Sequence, residues 1–290
     1  MQQWIERLRA GDPRALSRAI STVENRAPEW SELLKALFPD TGRARIIGLT
    51  GAPGSGKSTL VDQLARHYRK DNRTIGIIAV DPTSPYTGGA ILGDRIRMQD
   101  HFSDPGIYIR SMATRGSLGG LARTTADVAT VLDASGRDMI LIETVGVGQD
   151  EIDIVRLADI TIVILVPGMG DDVQTIKAGI MEIADIFVIN KSDREGAERV
   201  EREIRALQSL ATRSDNWTPP IVKTVATAGT GVKELAAAIA EYEGYLQKEN
   251  LALKRTIQNW QERIIEMLRE ALLDKAREQL GDGQVTRYAA

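Results

Sequence analysis

The sequence contains no cysteine and only two histidines among its 290 residues. Without cysteine, the chain can form no disulfide, no thiolate metal site and no cysteine nucleophile. The two histidines, His67 and His101, are not spaced as ligands on one helix face. We therefore expect a structural role for each of them.

A surplus of one charge and a long apolar run are also missing. The net charge is −3, so the overall balance favours neither nucleic acid nor an anionic membrane surface as a partner. The longest apolar run, residues 160–166, is far too short to cross a bilayer, and the N-terminus MQQWIERLRAGD lacks the apolar core of a signal peptide. We expect a soluble, cytoplasmic protein with no nucleic-acid and no membrane partner.

From residue 43 onwards, short β-branched runs alternate with helical stretches. Nearly continuous apolar strands separated by amphipathic helices predict a parallel sheet covered on both faces. The fold class is therefore α/β, a doubly wound and mainly parallel sheet, with ligand expected at the carboxyl ends of the strands. The predicted strands are residues 45–50, 74–80, 107–110, 139–144, 160–166, 186–190 and 221–225.

Helical extensions flank this pattern on both sides. We predict an N-terminal helical hairpin over residues 1–42, the α/β domain over 43–243 and a C-terminal helical arm over 244–290. Apolar residues recur at roughly helical spacing between 246 and 280, among them Leu251, Ile257 and Trp260. Packing on the domain itself and a dimer arm both remain open for this stripe.

A glycine-rich loop follows the first strand of the α/β pattern. Gly51-Ala52-Pro53-Gly54-Ser55-Gly56-Lys57-Ser58-Thr59 has the spacing G-x-x-x-x-G-K-S between a strand and a helix. Glycines let main-chain N–H groups turn inward around phosphates, and the helix N-terminus adds a favourable field. We expect Lys57 to reach the β- and γ-phosphates and the Ser58 hydroxyl to bind Mg²⁺.

The choice of base is predicted by the strand that ends in Asn190-Lys191-Ser192-Asp193. A carboxylate at Asp193 can accept hydrogen bonds from guanine N1–H and the 2-amino group, a pair that adenine does not offer. Asn190 would brace the loop and Lys191 would lie along the base plane. The last strand ends at Val225, and Val225, Ala226 and Thr227 suit the final guanine-side loop, with the Ala226 N–H near O6. The sequence predicts a GTPase that binds GTP and GDP.

Acids at two other strand ends are candidates for the Mg²⁺ site. Glu143 ends an apolar strand and is followed by Gly146, whose N–H we expect near the γ-phosphate. Asp81 follows a strand and could contact Mg²⁺ through water. Residues 146–151, which include the candidate catalytic residue Gln149, should form the segment that senses the γ-phosphate.

Taken together, these residues resemble the methylmalonyl-CoA mutase-associated GTPases, the MeaB/ArgK family of the SIMIBI class of P-loop proteins. The matching strings lie within residues 45–240. They are GAPGSGKSTL, AVDPTSP, GGAILGDRIRM, IRSMATRGSLGGL, LIETVGVGQDE, PGMGDDVQTIKAGIMEIADIFVINKSD and NWTPPIVKTVA.

The resemblance implies a homodimeric GTPase that serves as chaperone and gatekeeper for an adenosylcobalamin-dependent acyl-CoA mutase. It implies that Ser58 binds Mg²⁺ and that Asp94 joins Asp81 and Glu143 in an acidic set that serves the Mg²⁺ site and the switch. It also makes Lys177 part of a further switch. The family often has Ser-Ala where Val225-Ala226 stands here. The D-x-H-x-x-G signature of cobalamin binding is missing, so the corrin must belong to the partner.

Two other functions remain open. A metal-insertion GTPase of the same class would need cysteine or histidine ligands near the switches, which this composition hardly provides. A small-molecule or protein kinase of the ArgK type, linked to amino-acid transport, would need an acceptor pocket and a base that the sequence does not identify.

Overall fold

A computed structural model describes most of the α/β region and the segment before it. The described residues are 2–81, 101, 103–113, 120–146, 157–168, 183–210, 215–248 and single positions between 251 and 275. Asp94, Gln149 and Lys177 lie outside these ranges, and so does the side chain of Asp81.

Seven strands form one sheet in which every neighbouring pair is parallel, in the order β3-β2-β4-β1-β5-β6-β7. This confirms the predicted doubly wound α/β fold, because β1 lies centrally and the chain winds outward on both sides of it. The strands are β1 (Arg45–Gly51), β2 (Ile75–Asp81), β3 (Ile107–Ala113), β4 (Met139–Glu143), β5 (Ile160–Leu165), β6 (Ile186–Asn190) and β7 (Ile221–Thr224).

The central strands are apolar because helices cover both of their faces. Every residue of β4, β5 and β6 is buried. The described α-helices are α1 (Gln2–Arg9), α2 (Pro13–Glu24), α3 (Trp30–Leu37), α4 (Lys57–Arg69), α5 (Gly120–Ala134), α6 (Ala197–Leu210) and α7 (Val232–Lys248). None of the helices in the described part of the chain combines the length and apolar composition that crossing a bilayer requires.

The N-terminal segment differs from the predicted helical hairpin because it contains three helices. Breaks at Gly11 and at 27–28 divide the segment into α1, α2 and α3. The Asp12 carboxylate accepts the Arg14 and Ala15 N–H groups and so caps α2. Apolar side chains of all three helices join one core with α5 and the sheet, among them Leu8, Leu16, Ile20, Leu33, Leu37, Leu132 and Ile140.

Aspartates immediately before three strands fix the amino edge of the sheet. Each carboxylate accepts a main-chain N–H at the start of the adjacent parallel strand, a donor that would otherwise lack a ladder partner. The pairs, aspartate first, are Asp138–Thr74 at 2.6 Å, Asp159–Ile46 at 2.9 Å and Asp185–Thr161 at 2.9 Å. The opposite, carboxyl edge is left to loops that carry the candidate site.

The chain divides into two compact units, Met1–Glu243 and Gly244–Ala290. The first unit therefore contains the N-terminal helices as well as the sheet. Within the second unit, every described position between 251 and 275 is helical. Several of its large apolar side chains are about half exposed, including Ile257 at 48%, Ile264 at 51% and Leu268 at 58%.

Candidate nucleotide-binding site

The glycine-rich loop connects the end of β1 to the start of α4, as its sequence predicts. Gly56 stands immediately before α4 with φ +93°, a conformation that L side chains rarely adopt. A Cβ at this position would lie 2.3 Å from the Asn190 amide nitrogen, so the loop and the end of β6 meet too closely for any side chain. Ser55 is fully buried, and its hydroxyl has no hydrogen-bond partner among the described residues.

The ammonium of Lys57 points into this loop. Lys57 is the first residue of α4 and is buried. Its Nζ donates to the carbonyl oxygens of Gly51 over 2.8 Å and of Ala52 over 3.1 Å. A lysine ammonium inside a glycine-rich loop at a helix N-terminus is the arrangement that binds nucleotide phosphates.

Ser58 and Glu143 meet across the carboxyl edge of the sheet. β1 and β4 are neighbours, with Leu49 opposite Glu143, so the end of β4 lies beside the loop that leaves β1. The Ser58 hydroxyl donates to Glu143 Oε1 over 2.7 Å, and Glu143 is buried. A hydroxyl and a carboxylate are oxygen ligands of the kind that Mg²⁺ prefers, so Ser58 and Glu143 fit this ion as ligands.

Asp81 lies at the same edge, as the last residue of β2 and not in a loop after it. Ala79, two residues earlier, stands opposite Glu143 in the register of β2 and β4. The main chain thus brings Asp81 near Ser58 and Glu143, the other predicted Mg²⁺ ligands at this edge.

Gly146 returns the chain onto the glycine-rich loop three residues after Glu143. Its φ is +98°, and a Cβ there would lie 2.5 Å from the Gly51 carbonyl oxygen, 2.9 Å from the Pro53 nitrogen and 2.7 Å from Lys57 Nζ. The main chain of Gly146 therefore lies directly against the loop and the lysine. Only glycine fits this approach without displacing one of them.

Asn190 braces the guanine side of the site. Its Nδ2 donates to the Ser55 carbonyl oxygen over 2.8 Å. Its Oδ1 accepts the Thr224 hydroxyl over 3.0 Å and the Ala226 N–H over 3.1 Å. The side chain is buried and joins the phosphate loop to the loop after β7. Thr224 was not among the predicted residues; a threonine at the end of a strand at this edge was the available signal.

Lys191 and Asp193 continue the same loop at the surface. Lys191 Nζ donates to the Gly54 carbonyl oxygen over 2.7 Å, so its aliphatic stem crosses from the base side to the phosphate loop. Asp193 is exposed, with its carboxylate accessible to a ligand.

The Ala226 N–H already has a partner within the protein. Ala226 begins a short 3₁₀ turn, Ala226–Ala228, that includes Thr227, and Val225 just before it donates its N–H to the Thr230 carbonyl oxygen over 3.1 Å. Because Asn190 accepts the Ala226 N–H, a contact of that N–H with guanine O6 requires this bond to be shared or exchanged. The O6 contact stays a prediction.

The two histidines lie away from the loop. His101 is buried, and its Nε2 is 2.6 Å from Asp62 Oδ1 on α4. Burial opposes ionisation of Asp62, but hydrogen bonds from His101 and Arg66 outweigh it, and the pKa of Asp62 lies below its usual value. The ring of His67 meets the edge of the neighbouring Tyr68 ring.

Comparison with known proteins identifies the family. Residues 16–280 match the family model described as methylmalonyl Co-A mutase-associated GTPase MeaB. The chain belongs to this family. It is a P-loop GTPase that binds GTP and GDP and hydrolyses GTP.

Three of the relatives of this chain are between 35% and 55% identical to it. A Pyrococcus abyssi relative is 55% identical over 86% of this chain and 78% of its own length. GTPase ArgK of Escherichia coli is 36% identical over 92% of this chain and 82% of its own length. The mouse protein named methylmalonic aciduria type A homolog, mitochondrial, is 35% identical over 89% of this chain and 68% of its own length.

Solved structures support the fold of the family. The crystal structure of a LAO/AO transport system kinase aligns with a TM-score of 0.78 and 26% identity, over 99% of this chain and 88% of that protein. Helicobacter pylori HypB, solved in complex with nickel, aligns with a TM-score of 0.53 and 17% identity over 76% of this chain and 94% of its own. At that identity the likeness to HypB concerns the fold alone.

Proposed function

We propose that this GTPase acts as a chaperone and gatekeeper for an adenosylcobalamin-dependent acyl-CoA mutase of the methylmalonyl-CoA mutase type. GTP hydrolysis would control delivery of the cofactor to the mutase and its protection or reactivation. The match of residues 16–280 to a family described as mutase-associated carries this proposal. The mouse relative, whose name refers to methylmalonic aciduria, supports the same proposed function.

Within this proposal the loop amides and Lys57 hold the phosphates. Asn190 and Lys191 fix the base-side loop against the phosphate loop, and Asp193 selects guanine. Because the base and phosphate loops are joined by direct hydrogen bonds, 2.8 Å from Asn190 and 2.7 Å from Lys191, a nucleotide that fills one loop also orders the other.

We further propose Mg²⁺ as the cofactor, held by Ser58 and Glu143 with the predicted help of Asp81 and Asp94. When bound, Mg²⁺ neutralises charge that develops on the phosphate oxygens. The 2.7 Å bond between Ser58 and Glu143 keeps both oxygens together at the end of β4, so little rearrangement would be needed to present them to an ion.

A homodimer is part of the proposal. Several large apolar side chains of the second unit are about half exposed, and this exposure supports the dimer-arm alternative. In a homodimer a second copy would cover them. A cytoplasmic location stays a prediction.

The test of the chaperone function is turnover of GTP by the purified protein with and without its cognate mutase. Candidates for an arginine that stabilises the transition state are Arg95, Arg97, Arg115 and Arg123, whose side chains lie outside the described residues. We expect slow turnover alone and faster turnover with the mutase. A Lys57→Ala variant with the same mutase controls for contaminating GTPase activity. Fast turnover that no mutase changes would count against the proposal.

A kinase function is the second candidate, because the aligned protein is named a LAO/AO transport system kinase. GTP labelled in the γ-phosphate distinguishes the two. Label released as inorganic phosphate supports a switch GTPase, whereas label on a second molecule supports a kinase.

A further inference from the structure

Two buried threonines join the ends of β1 and β4 beneath the phosphate loop. The Thr144 hydroxyl donates to the Thr50 hydroxyl over 3.1 Å. The exposed fractions of these residues are 1% and 2%. Thr50 immediately precedes Gly51, where the loop begins, and Thr144 immediately follows Glu143.

The hydroxyls stand out because the residues just before them are mostly apolar. β1 reads RIIGLTG and β4 reads MILIE before Thr144. Valine has nearly the same shape as threonine, and a valine pair would fill this space without burying polar groups. What the hydroxyls add is direction, because a hydrogen bond fixes the position of its two partners and dispersion contacts do not.

Thr144 is held to β1 at two points. Besides the hydroxyl bond, its N–H donates to the Leu49 carbonyl oxygen over 3.1 Å. Just before it, Glu143 accepts the Ser58 hydroxyl, and two residues after it, Gly146 lies against Lys57 and the loop. The attachment of Thr144 therefore sets how the Glu143 carboxylate and the Gly146 main chain meet the phosphate loop.

We propose that Thr50 and Thr144 are positioning residues for GTP hydrolysis. They would act through Glu143, which precedes Thr144, and through Gly146, two residues after it. GDP binding rests on Lys57 and the loop amides, so it should hardly depend on the pair. The inference concerns the hydrolytic step and holds whichever protein partner the GTPase serves.

The experiment compares four variants for turnover of GTP and for affinity for GDP. Thr144→Val and Thr50→Val each remove one hydroxyl at constant shape, and the double variant removes both. Thr144→Ser keeps the hydroxyl. We expect kcat to fall at least about tenfold in both valine variants while the Kd for GDP changes less than about threefold. Thr144→Ser should recover most of the rate.

The double variant should be no slower than either single variant, because all three lose the same hydrogen bond. Because it removes both hydroxyls at once, it decides the matter if a single variant fails to fold. Thr130→Val, which removes a hydroxyl bonded to the Ala126 carbonyl oxygen on α5, controls for loss of any threonine hydroxyl.

Several results would overturn the inference. Wild-type turnover in the double variant would show that the bond is not needed. Equal loss of rate in Thr144→Ser and Thr144→Val would assign the effect to packing. Slowing in the double variant equal to the product of the single effects would mean that the residues act separately. A parallel loss of GDP affinity would indicate a purely structural role.

Discussion

Ser58 Oγ lies 2.7 Å from Glu143 Oε1, which joins the first turn of α4 to the end of β4. The two residues are far apart in sequence and come together because β4 is inserted beside β1. The bond connects the helix that carries the phosphate lysine to the strand that leads into Gly146. Changes at Glu143 should therefore separate binding from chemistry.

We expect Glu143→Gln to bind GTP almost normally but to hydrolyse it poorly. The substitution keeps volume and hydrogen bonding but removes the negative charge. GTP affinity should fall less than about tenfold, or roughly 1.4 kcal/mol, because Lys57 and the loop amides hold the phosphates. Hydrolysis should fall more than about a hundredfold, roughly 2.7 kcal/mol.

Both quantities are measured on one preparation at fixed Mg²⁺, beside Glu198→Gln, an exposed glutamate at the start of α6. Intact hydrolysis in Glu143→Gln would show that the carboxylate is only a strand-end acid.

Asp193→Asn should change the choice of base. The amide presents a donor where guanine needs an acceptor for its N1–H and 2-amino groups, so GTP should bind more weakly. Xanthosine triphosphate, which carries an oxygen in place of the 2-amino group, should gain relative affinity. Calorimetry with both nucleotides tests this, with the exposed Asp71→Asn as control. Unchanged GTP binding would contradict the guanine assignment.

The aspartates at the amino edge predict a stability difference between two similar bonds. Asp185 is fully buried, and its carboxylate accepts the Thr161 N–H. Its main-chain carbonyl oxygen accepts the Trp217 indole N–H over 2.9 Å. Asp138 makes its bond to Thr74 at the surface, where water can replace it. Asp185→Ala should lower the free energy of unfolding by about 2–3 kcal/mol, and Asp138→Ala by less than about 1 kcal/mol.

Urea denaturation at one fixed GDP concentration measures both variants, and neither should change the preference for guanine. Equal losses of unfolding free energy in the two variants would mean that burial of the carboxylate does not decide how much its hydrogen bond contributes to stability.

The sheet could be predicted because its signal is local. Apolar runs of strand length, separated by helices, specify a parallel sheet whichever strands become neighbours. The loop at 51–58 and the loop at 190–193 could be placed for the same reason, since each combines a motif with a strand before it. The N-terminal segment has three helices where two were predicted, because an apolar stripe indicates that a segment packs on the sheet but does not give the number of helices in it.

The hydrogen bonds that join separate strands could not be predicted in the same way. The bonds of Asn190 to Ser55, Thr224 and Ala226 depend on the strand order, which places β6 and β7 on the side of β5 away from β1, and no local pattern encodes that order. The Thr50–Thr144 bond is of the same kind. Threonine favours strands for its β-branched shape, so its presence there does not indicate a hydroxyl contact.

Gly146 and Gly136 provide a matched pair that separates backbone strain from contact with the phosphate loop. Both have positive φ, +98° and +82°, so alanine at either position costs roughly 1–2 kcal/mol of backbone energy. A Cβ at Gly136 meets nothing within 4 Å, whereas one at Gly146 lies 2.5 Å from the Gly51 carbonyl oxygen.

Gly136→Ala should therefore lower stability and leave GDP and GTP affinity within about twofold of wild type. Gly146→Ala should lower stability by more than Gly136→Ala does. It should also lower the affinity for GDP and for GTP at least about tenfold, because main-chain atoms of the loop must shift. Thermal unfolding and nucleotide titration on both variants measure the two effects. Equal nucleotide affinities in the two alanine variants would mean that the loop tolerates the added methyl group and that Gly146 is required only for its backbone conformation.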